Sequence, residues 1–193
     1  MSDIVFPEFA PFAKMARLNR ECIITEKIDG TNAQIFIDET GQHIFAGSRS
    51  RWLTPDDDNF GFAYWVETNC AELLKLGPGR HFGEWWGAGI QRKYGQTAQH
   101  FSLFNVGRWT KTGALPPTCC RVVPVMYAGP FITSAVERCV VDLRTHGSLA
   151  AEGFMQPEGI VVYHKAAGTL FKVTVERDEA PKSVNTQMTG ESL

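Results

Sequence analysis

The run Glu21-Cys22-Ile23-Ile24-Thr25-Glu26-Lys27-Ile28-Asp29-Gly30-Thr31-Asn32-Ala33-Gln34-Ile35-Phe36-Ile37-Asp38 holds two β-rich stretches that meet at Asp29-Gly30. Period-two alternation in β-branched and aromatic residues predicts strands over 21–27 and 31–38. Asp-Gly between two such runs favours a tight turn, so a hairpin is expected, with Lys27 at a strand end. Outward from there, Thr40-Gly41 reads as a turn and 44–48 as a further strand. In 60–76 the apolar residues Phe62, Trp65, Val66, Leu73 and Leu74 fall at helical spacing. Short strands are predicted over 81–86, 101–109, 122–126, 159–164 and 170–175, and a second helix over 134–146 with Ser134 as N-cap and Gly147 past its end. Gly77-Pro78-Gly79 and Leu115-Pro116-Pro117 read as turns rather than linkers. The expected fold class is α+β, mainly antiparallel sheets flanked by a few helices, as one domain over 1–177 with a polar tail over 178–193.

The 193 residues are 44% hydrophobic and 11% aromatic, enough to bury a core of domain size. A formal net charge of -2 excludes a global basic field, so any nucleic-acid contact must be local. Five cysteines form no CxxC pair and no grouping at zinc-finger spacing, and their odd number argues against a complete disulfide framework. Reduced thiols in a cytoplasmic protein are expected. Neither a signal peptide nor a bilayer-length apolar run is present, so no membrane partner is expected.

Charged residues interrupt the apolar strands at several points. Glu26-Lys27-Ile28-Asp29-Gly30-Thr31-Asn32 sets a lysine between two acids at a turn. A free lysine amine, with a pKa of about 10.4, is protonated at neutral pH and cannot attack phosphorus until its surroundings lower that value by roughly 2 to 3 units. The alternative for this heptapeptide is a surface lysine beside a hairpin turn. Gly47-Ser48-Arg49-Ser50-Arg51 offers forked donors suited to phosphate or ribose, or else a solvated strand end. Glu84, in Phe82-Gly83-Glu84-Trp85-Trp86-Gly87, puts a carboxylate in an aromatic strand, where it needs a partner: ribose hydroxyls or a salt bridge. Phe104 suits either stacking on a base or the core. Glu158 precedes a buried-looking strand and could hold Mg²⁺ or simply cap a turn. Lys172, in Leu170-Phe171-Lys172-Val173, places an ammonium in an apolar strand, where a phosphate or a cross-strand carboxylate would serve it.

Taken in order, Lys27-Ile28-Asp29-Gly30, Ser48-Arg49, Phe82-Gly83-Glu84, Glu158-Gly159-Ile160-Val161 and Phe171-Lys172-Val173 resemble motifs I, Ia, III, IV and V of the covalent nucleotidyltransferases, the superfamily of DNA ligases, RNA ligases and capping enzymes. Thr31-Asn32 after the first motif, the early Phe12-Ala13-Lys14-Met15-Ala16-Arg17-Leu18 and the Phe-Gly-Glu form of motif III look like the ATP-dependent RNA ligases of phage and RNA-editing type.

That resemblance implies an adenylation-domain fold, ATP and Mg²⁺ (or Mn²⁺) as cofactors, and a nucleic-acid partner bearing RNA ends or a nick in a duplex. It implies Lys27 as the nucleophile that takes AMP, with Asp29 and Lys172 beside it in catalysis. The nucleotide would be bound by Glu26, Gly30, Asn32, Arg49, Glu84, Phe104, Glu158 and Lys172: Glu26 and its backbone by the adenine, Arg49 on the ribose or 5′-phosphate, Glu84 on the ribose hydroxyls, Phe104 on the adenine face, Lys172 on the α-phosphate. Glu158 would hold the metal. Two departures stand out. Motif V usually carries two lysines one residue apart, whereas Leu170 and Thr174 flank Lys172 here, which leaves two alignments for it. The sequence also runs only about twenty residues past Lys172, so no OB-fold domain is expected and a partner protein could supply further grip. A minimal DNA ligase and a non-catalytic nucleotide-binding module remain as alternatives. For the polynucleotide itself, Arg51, Arg92, Lys93 and Arg108, with Trp86 and Trp109, form a candidate basic patch.

Overall fold

The computed structural model describes residues 7–109 and 114–176, so the expected polar tail lies outside the described residues. The strands are β1 (Glu21–Lys27), β2 (Thr31–Ile37), β3 (Ile44–Ser48), β4 (Trp52–Leu53), β5 (Gly79–Gly87), β6 (Gln99–Leu103), β7 (Cys120–Val122), β8 (Val125–Pro130), β9 (Gly159–His164) and β10 (Thr169–Thr174). The helices are α1 (Phe62–Thr68), α2 (Cys70–Leu73) and α3 (Thr133–His146). Two sheets result: a four-stranded one in the order β10-β9-β1-β8 and a six-stranded one in the order β4-β3-β2-β5-β6-β7. Pairing is antiparallel apart from β6 with β7. The α+β reading holds.

The expected hairpin of β1 and β2 does not form. β1 pairs with β8 and β9, β2 pairs with β3 and β5, and Ile28-Asp29-Gly30 carry the chain from one sheet to the other. Burial explains the crossing. Cys22 and Ile24 of β1 sink into a core with Ala135, Cys139 and Leu143 of α3, whereas Ala33, Ile35 and Ile37 of β2 join Phe62, Trp85 and Phe101 over α1. Gly30 has no left-handed backbone. It is needed for close approach: a Cβ there would lie 2.3 Å from the Trp85 carbonyl oxygen and 2.7 Å from Trp86 Cβ. A third core, of Ile28, Trp86, Tyr94, Val106, Val123 and Ala151, ties the two sheets together at one end.

Four further expectations are corrected. The 122–126 strand is interrupted at Pro124, which has no N–H for a ladder, so β7 and β8 fall in different sheets. The 101–109 strand stops at Leu103, after which Asn105 turns the chain by accepting on its carbonyl from the N–H groups of Arg108 and Trp109. Ser134 is not the N-cap of α3; Ile132 holds that position without a side-chain cap, while Gly147 ends the helix with φ 81° as expected. The helical 60–76 segment breaks at Asn69, whose side-chain amide donates to the Trp65 carbonyl at 2.8 Å and competes with the helix ladder.

Candidate active site

The facing surfaces of the two sheets enclose a cavity of about 970 Å³. Lys27 reaches it from the end of β1, and Glu84 and Asn32 reach it from β5 and β2, where they stand opposite each other. The Lys27 Nζ lies 2.5 Å from Glu158 Oε2, and the Glu158 side chain is only 5% exposed. Strand register fixes the rest of this wall. Lys27 is paired with Gly159, which is paired with Thr174; one row away, Thr25, Val161 and Lys172 are in line. Leu170, Lys172 and Thr174 therefore share the face of β10 that carries this wall. Gly159 lets β10 close in, since a Cβ there would fall 2.1 Å from the Val173 carbonyl oxygen.

Glu84 is held from below. Its Oε1 accepts from the Gly30 N–H at 3.0 Å and its Oε2 from the Asn32 side-chain amide at 2.9 Å. Burial raises its carboxyl to about 7, with Glu158 pushing the same way and Lys27, Gly30 and Asn32 pulling it back. Gly83, beside it, leaves room for β6: a Cβ there would meet the Ser102 carbonyl oxygen at 2.5 Å and the Phe101 ring at 2.6 Å. Phe82 and Phe104 put half-exposed rings at the cavity.

The sequence model of the RNA ligase family matches residues 20–174. This chain belongs to the RNA ligase family. No curated protein is matched by it. Among solved structures it is similar to variants of Naegleria gruberi RNA ligase. One, with AMP and Mn, is 18% identical at a TM-score of 0.59, covering 88% of this chain and 57% of that one. Another, with ATP and Mn, is 17% identical at a TM-score of 0.56, covering 82% of this chain and 51% of that one. The chain thus spans just over half the length of these ligases, and the likeness establishes a shared adenylation-domain fold.

Several residues named from the sequence sit elsewhere in this RNA ligase family domain. The Glu26 side chain lies on the opposite face of β1 from Lys27, where its carboxylate accepts from Ser148 Oγ at 2.6 Å, Leu149 N–H at 2.8 Å and Ala150 N–H at 2.9 Å. Glu26 nonetheless borders the cavity. Asp29 points away from the cavity: Arg92 Nε donates to its carboxylate at 3.0 Å, and its N–H donates to the Tyr94 hydroxyl at 2.9 Å. Arg49 is exposed, does not line the cavity, and has no ion pair among the described residues. The basic patch comes together only in part: Arg108 lies over the Trp109 ring, 4.4 Å from its centroid, and both line the cavity. Arg51 binds Asp57, Arg92 binds Asp29, Arg108 donates to the Leu76 carbonyl, and Trp86 and Trp109 are buried. The early 12–18 segment is exposed and forms no helix or strand.

Sequence reasoning missed Tyr94 as the group that holds the Lys27-to-β2 crossing. Its only trace is a glycine-rich loop over 87–95 in which Gln91, Lys93 and Tyr94 have left-handed backbones at φ 42°, 59° and 50°. Such strain persists only where surroundings over-determine it; here Tyr94 packs at 4.5 Å from the Phe154 ring and edge-on to Trp86.

Glu158 suits a hard divalent cation. Mg²⁺ takes one or two carboxylates together with substrate phosphates and water; no group of three or more ligating side chains occurs among the described residues. No described helix is long and apolar enough to cross a membrane.

The raised carboxyl of Glu84 has a measurable consequence. A group whose folded value exceeds its unfolded one binds its proton more tightly in the folded chain, so its contribution weakens as pH rises from about 4.5 through about 7. Buried His81 and half-buried His100, both held low by desolvation, act in the opposite sense near neutrality, so the test is a difference between proteins. Relative to wild type, nucleotide-free Glu84→Gln is expected to gain stability between about pH 5 and about pH 8, by at most about 3 kcal/mol. Urea denaturation at the two pH values checks it.

Proposed function

We propose that this domain joins RNA ends at the expense of ATP through a covalent lysyl-AMP on Lys27. The observation that carries the reading is the convergence of Lys27 with Glu158 at 2.5 Å on one wall and of Glu84, gripped by Gly30 and Asn32, on the other. A nucleotide laid between the walls would present its ribose hydroxyls to Glu84, its base to Phe104 and its α-phosphate to Lys27 and Lys172.

In the first step the Lys27 ammonium gives one proton to solvent, its amine attacks the α-phosphorus, a P–N bond forms, the bond to the bridging oxygen breaks and pyrophosphate leaves. The amine's proton passes to Glu158 or to water. A 5′-phosphate oxygen then attacks the same phosphorus; the P–N bond breaks, Lys27 is reprotonated, and a 5′-adenylylated end results. Finally a 3′-hydroxyl attacks that 5′-phosphate and AMP departs. Charge spreads over phosphate oxygens in each step, and Lys172 is placed to stabilise it. A divalent cation held by Glu158 would neutralise further phosphate charge. Arg49, outside the cavity, fits the 5′-phosphate of the polynucleotide better than the ribose. Asp29 acts as a positioning residue, tying the crossing to Arg92 rather than touching the nucleotide.

The relatives solved with ATP or AMP and Mn support the choice of nucleotide and cation. The five unpaired cysteines support a reducing, cytoplasmic setting. The test is the intact mass of the protein before and after incubation with ATP and Mg²⁺, followed by peptide mapping. One added AMP on the peptide containing Lys27 is expected; no gain, or AMP on another residue, would overturn the reading.

A further inference from the structure

The cavity face of the six-stranded sheet continues outward beyond the nucleotide site, and no helix among the described residues covers it. Register places Asn32 opposite Glu84, Gln34 opposite Phe82 and Phe36 opposite Arg80; Phe45 of β3 is opposite Phe36, and Trp52 of β4 is opposite Gly47. Arg80, Phe82 and Glu84 alternate along β5, so all three share one face. The result is a strip of rings. Phe36 and Phe45 are near-parallel with centroids 6.1 Å apart, and Trp52 lies 6.2 Å from the first and 6.0 Å from the second. Trp52 rests over Gly47, where a Cβ would meet its ring at 3.1 Å.

These rings are not core. Phe82, Trp52 and Phe45 are 52%, 48% and 46% exposed, while the other face of the same strands is sealed by α1. Arg80 spans the strip, its guanidinium 4.9 Å from the Phe36 centroid and 5.3 Å from that of Trp52, and it has no carboxylate partner among the described residues. Arg49, which follows β3, is a second exposed cation without an ion pair among the described residues. The acids close by are engaged: Asp38 with His43 at the far edge, Asp57 with Arg51. Exposed rings interleaved with guanidiniums that have no carboxylate partner among the described residues, Arg80 donating instead to Gln34 Oε1 at 2.9 Å, match the two needs of a single strand, π-faces for bases and charge for phosphates. An apolar protein partner would not require a guanidinium without a counter-charge over the rings. Phe82 and Arg80 also line the nucleotide cavity, so the strip begins where the reacting end would sit.

We infer that Phe82, Phe36, Phe45 and Trp52, with Arg80, form a stacking platform that leads single-stranded RNA from the nucleotide cavity to the β4 edge. The inference rests on the reading that the domain acts on RNA.

The experiment measures binding of a labelled, 5′-phosphorylated single-stranded RNA oligonucleotide to the full chain, beside lysyl-AMP formation by intact mass, for wild type, Phe45→Leu, Trp52→Leu and Trp52→Phe. Leucine keeps apolar surface but has no π-face. Each leucine variant is expected to bind RNA about ten-fold more weakly, Trp52→Phe within about three-fold of wild type, and all to form lysyl-AMP normally. RNA binding by the leucine variants equal to wild type would overturn the platform and leave the face to a protein partner. Loss of lysyl-AMP in those variants would equally overturn it, since the rings would then serve the nucleotide site or the fold. Wild type that binds no RNA refutes it as well. Wild type that binds RNA through these rings yet forms no lysyl-AMP would instead refute the proposed chemistry and leave the platform standing.

Discussion

Lys27→Arg is expected to fold as the wild-type chain does and to take up no AMP. Removing the Lys27 cation altogether, as in Lys27→Ala, takes a positive charge from beside the Glu158 carboxylate, which is only 5% exposed, and so mixes lost chemistry with lost stability. Arginine separates the two. Its guanidinium still gives Glu158 a positive partner, but it is never deprotonated under ordinary conditions and has no amine lone pair to offer phosphorus. The intact mass of Lys27→Arg should remain unchanged after incubation with ATP and Mg²⁺, below any detectable fraction of the wild-type gain, while its denaturation midpoint stays near wild type. A mass gain of one AMP in this variant would remove Lys27 from the nucleophile's role.

Glu26→Ala should destabilise the domain by about 3 to 5 kcal/mol, the scale seen when one partner is removed from a buried charged network. Glu26 is 1% exposed and takes three hydrogen bonds from 148–150, a loop more than a hundred residues away in sequence. Its carboxyl is raised by burial, with those three donors opposing the shift. Truncation takes the acceptor from the Ser148 hydroxyl and the Leu149 N–H, leaves the Ala150 N–H only Ser148 Oγ at 3.1 Å, and opens a void beside β1. Glu26→Gln, which keeps an acceptor and the volume, should recover much of the loss. Urea denaturation of the two variants checks the order; equal stability of Glu26→Ala and wild type would show that the loop holds without the carboxylate.

The adjacent residues Glu26 and Lys27 mark where the sequence was legible. A lysine and acids inside apolar strands pointed to a site because such charges are costly unless partnered, and Lys27, Glu84 and Lys172 do line one cavity, with Glu158 against Lys27. The alternation along β1 placed Glu26 and Lys27 on opposite faces, but nothing in the heptapeptide said which face looked into the cavity. That depends on β9, whose Val161 meets Thr25 across a long loop, and on α3 behind. The hairpin error has the same origin. Asp29-Gly30 carries the local signature of a turn, yet Gly30 answers to the backbone of β5, and only the assembled sheets supply that constraint. Tyr94 and Arg92 reach Asp29 from a loop more than sixty residues away with no periodic pattern to flag it. The ring strip was visible as strand alternation, but whether alternate rings face water or core is decided by where α1 packs.

The three-residue crossing at Ile28-Asp29-Gly30 makes Lys27 a fulcrum. The two sheets meet at this strap and at the small core beside it, so a change in their opening angle rotates the far walls, Lys172 on one side and the aromatic strip on the other, about a line that passes near the nucleophile. Points near an axis travel least. On the proposed chemistry, such a change would let the cleft widen for a polynucleotide and narrow on a nucleotide while the amine of Lys27 stayed nearly fixed, as successive reactions at one phosphorus demand.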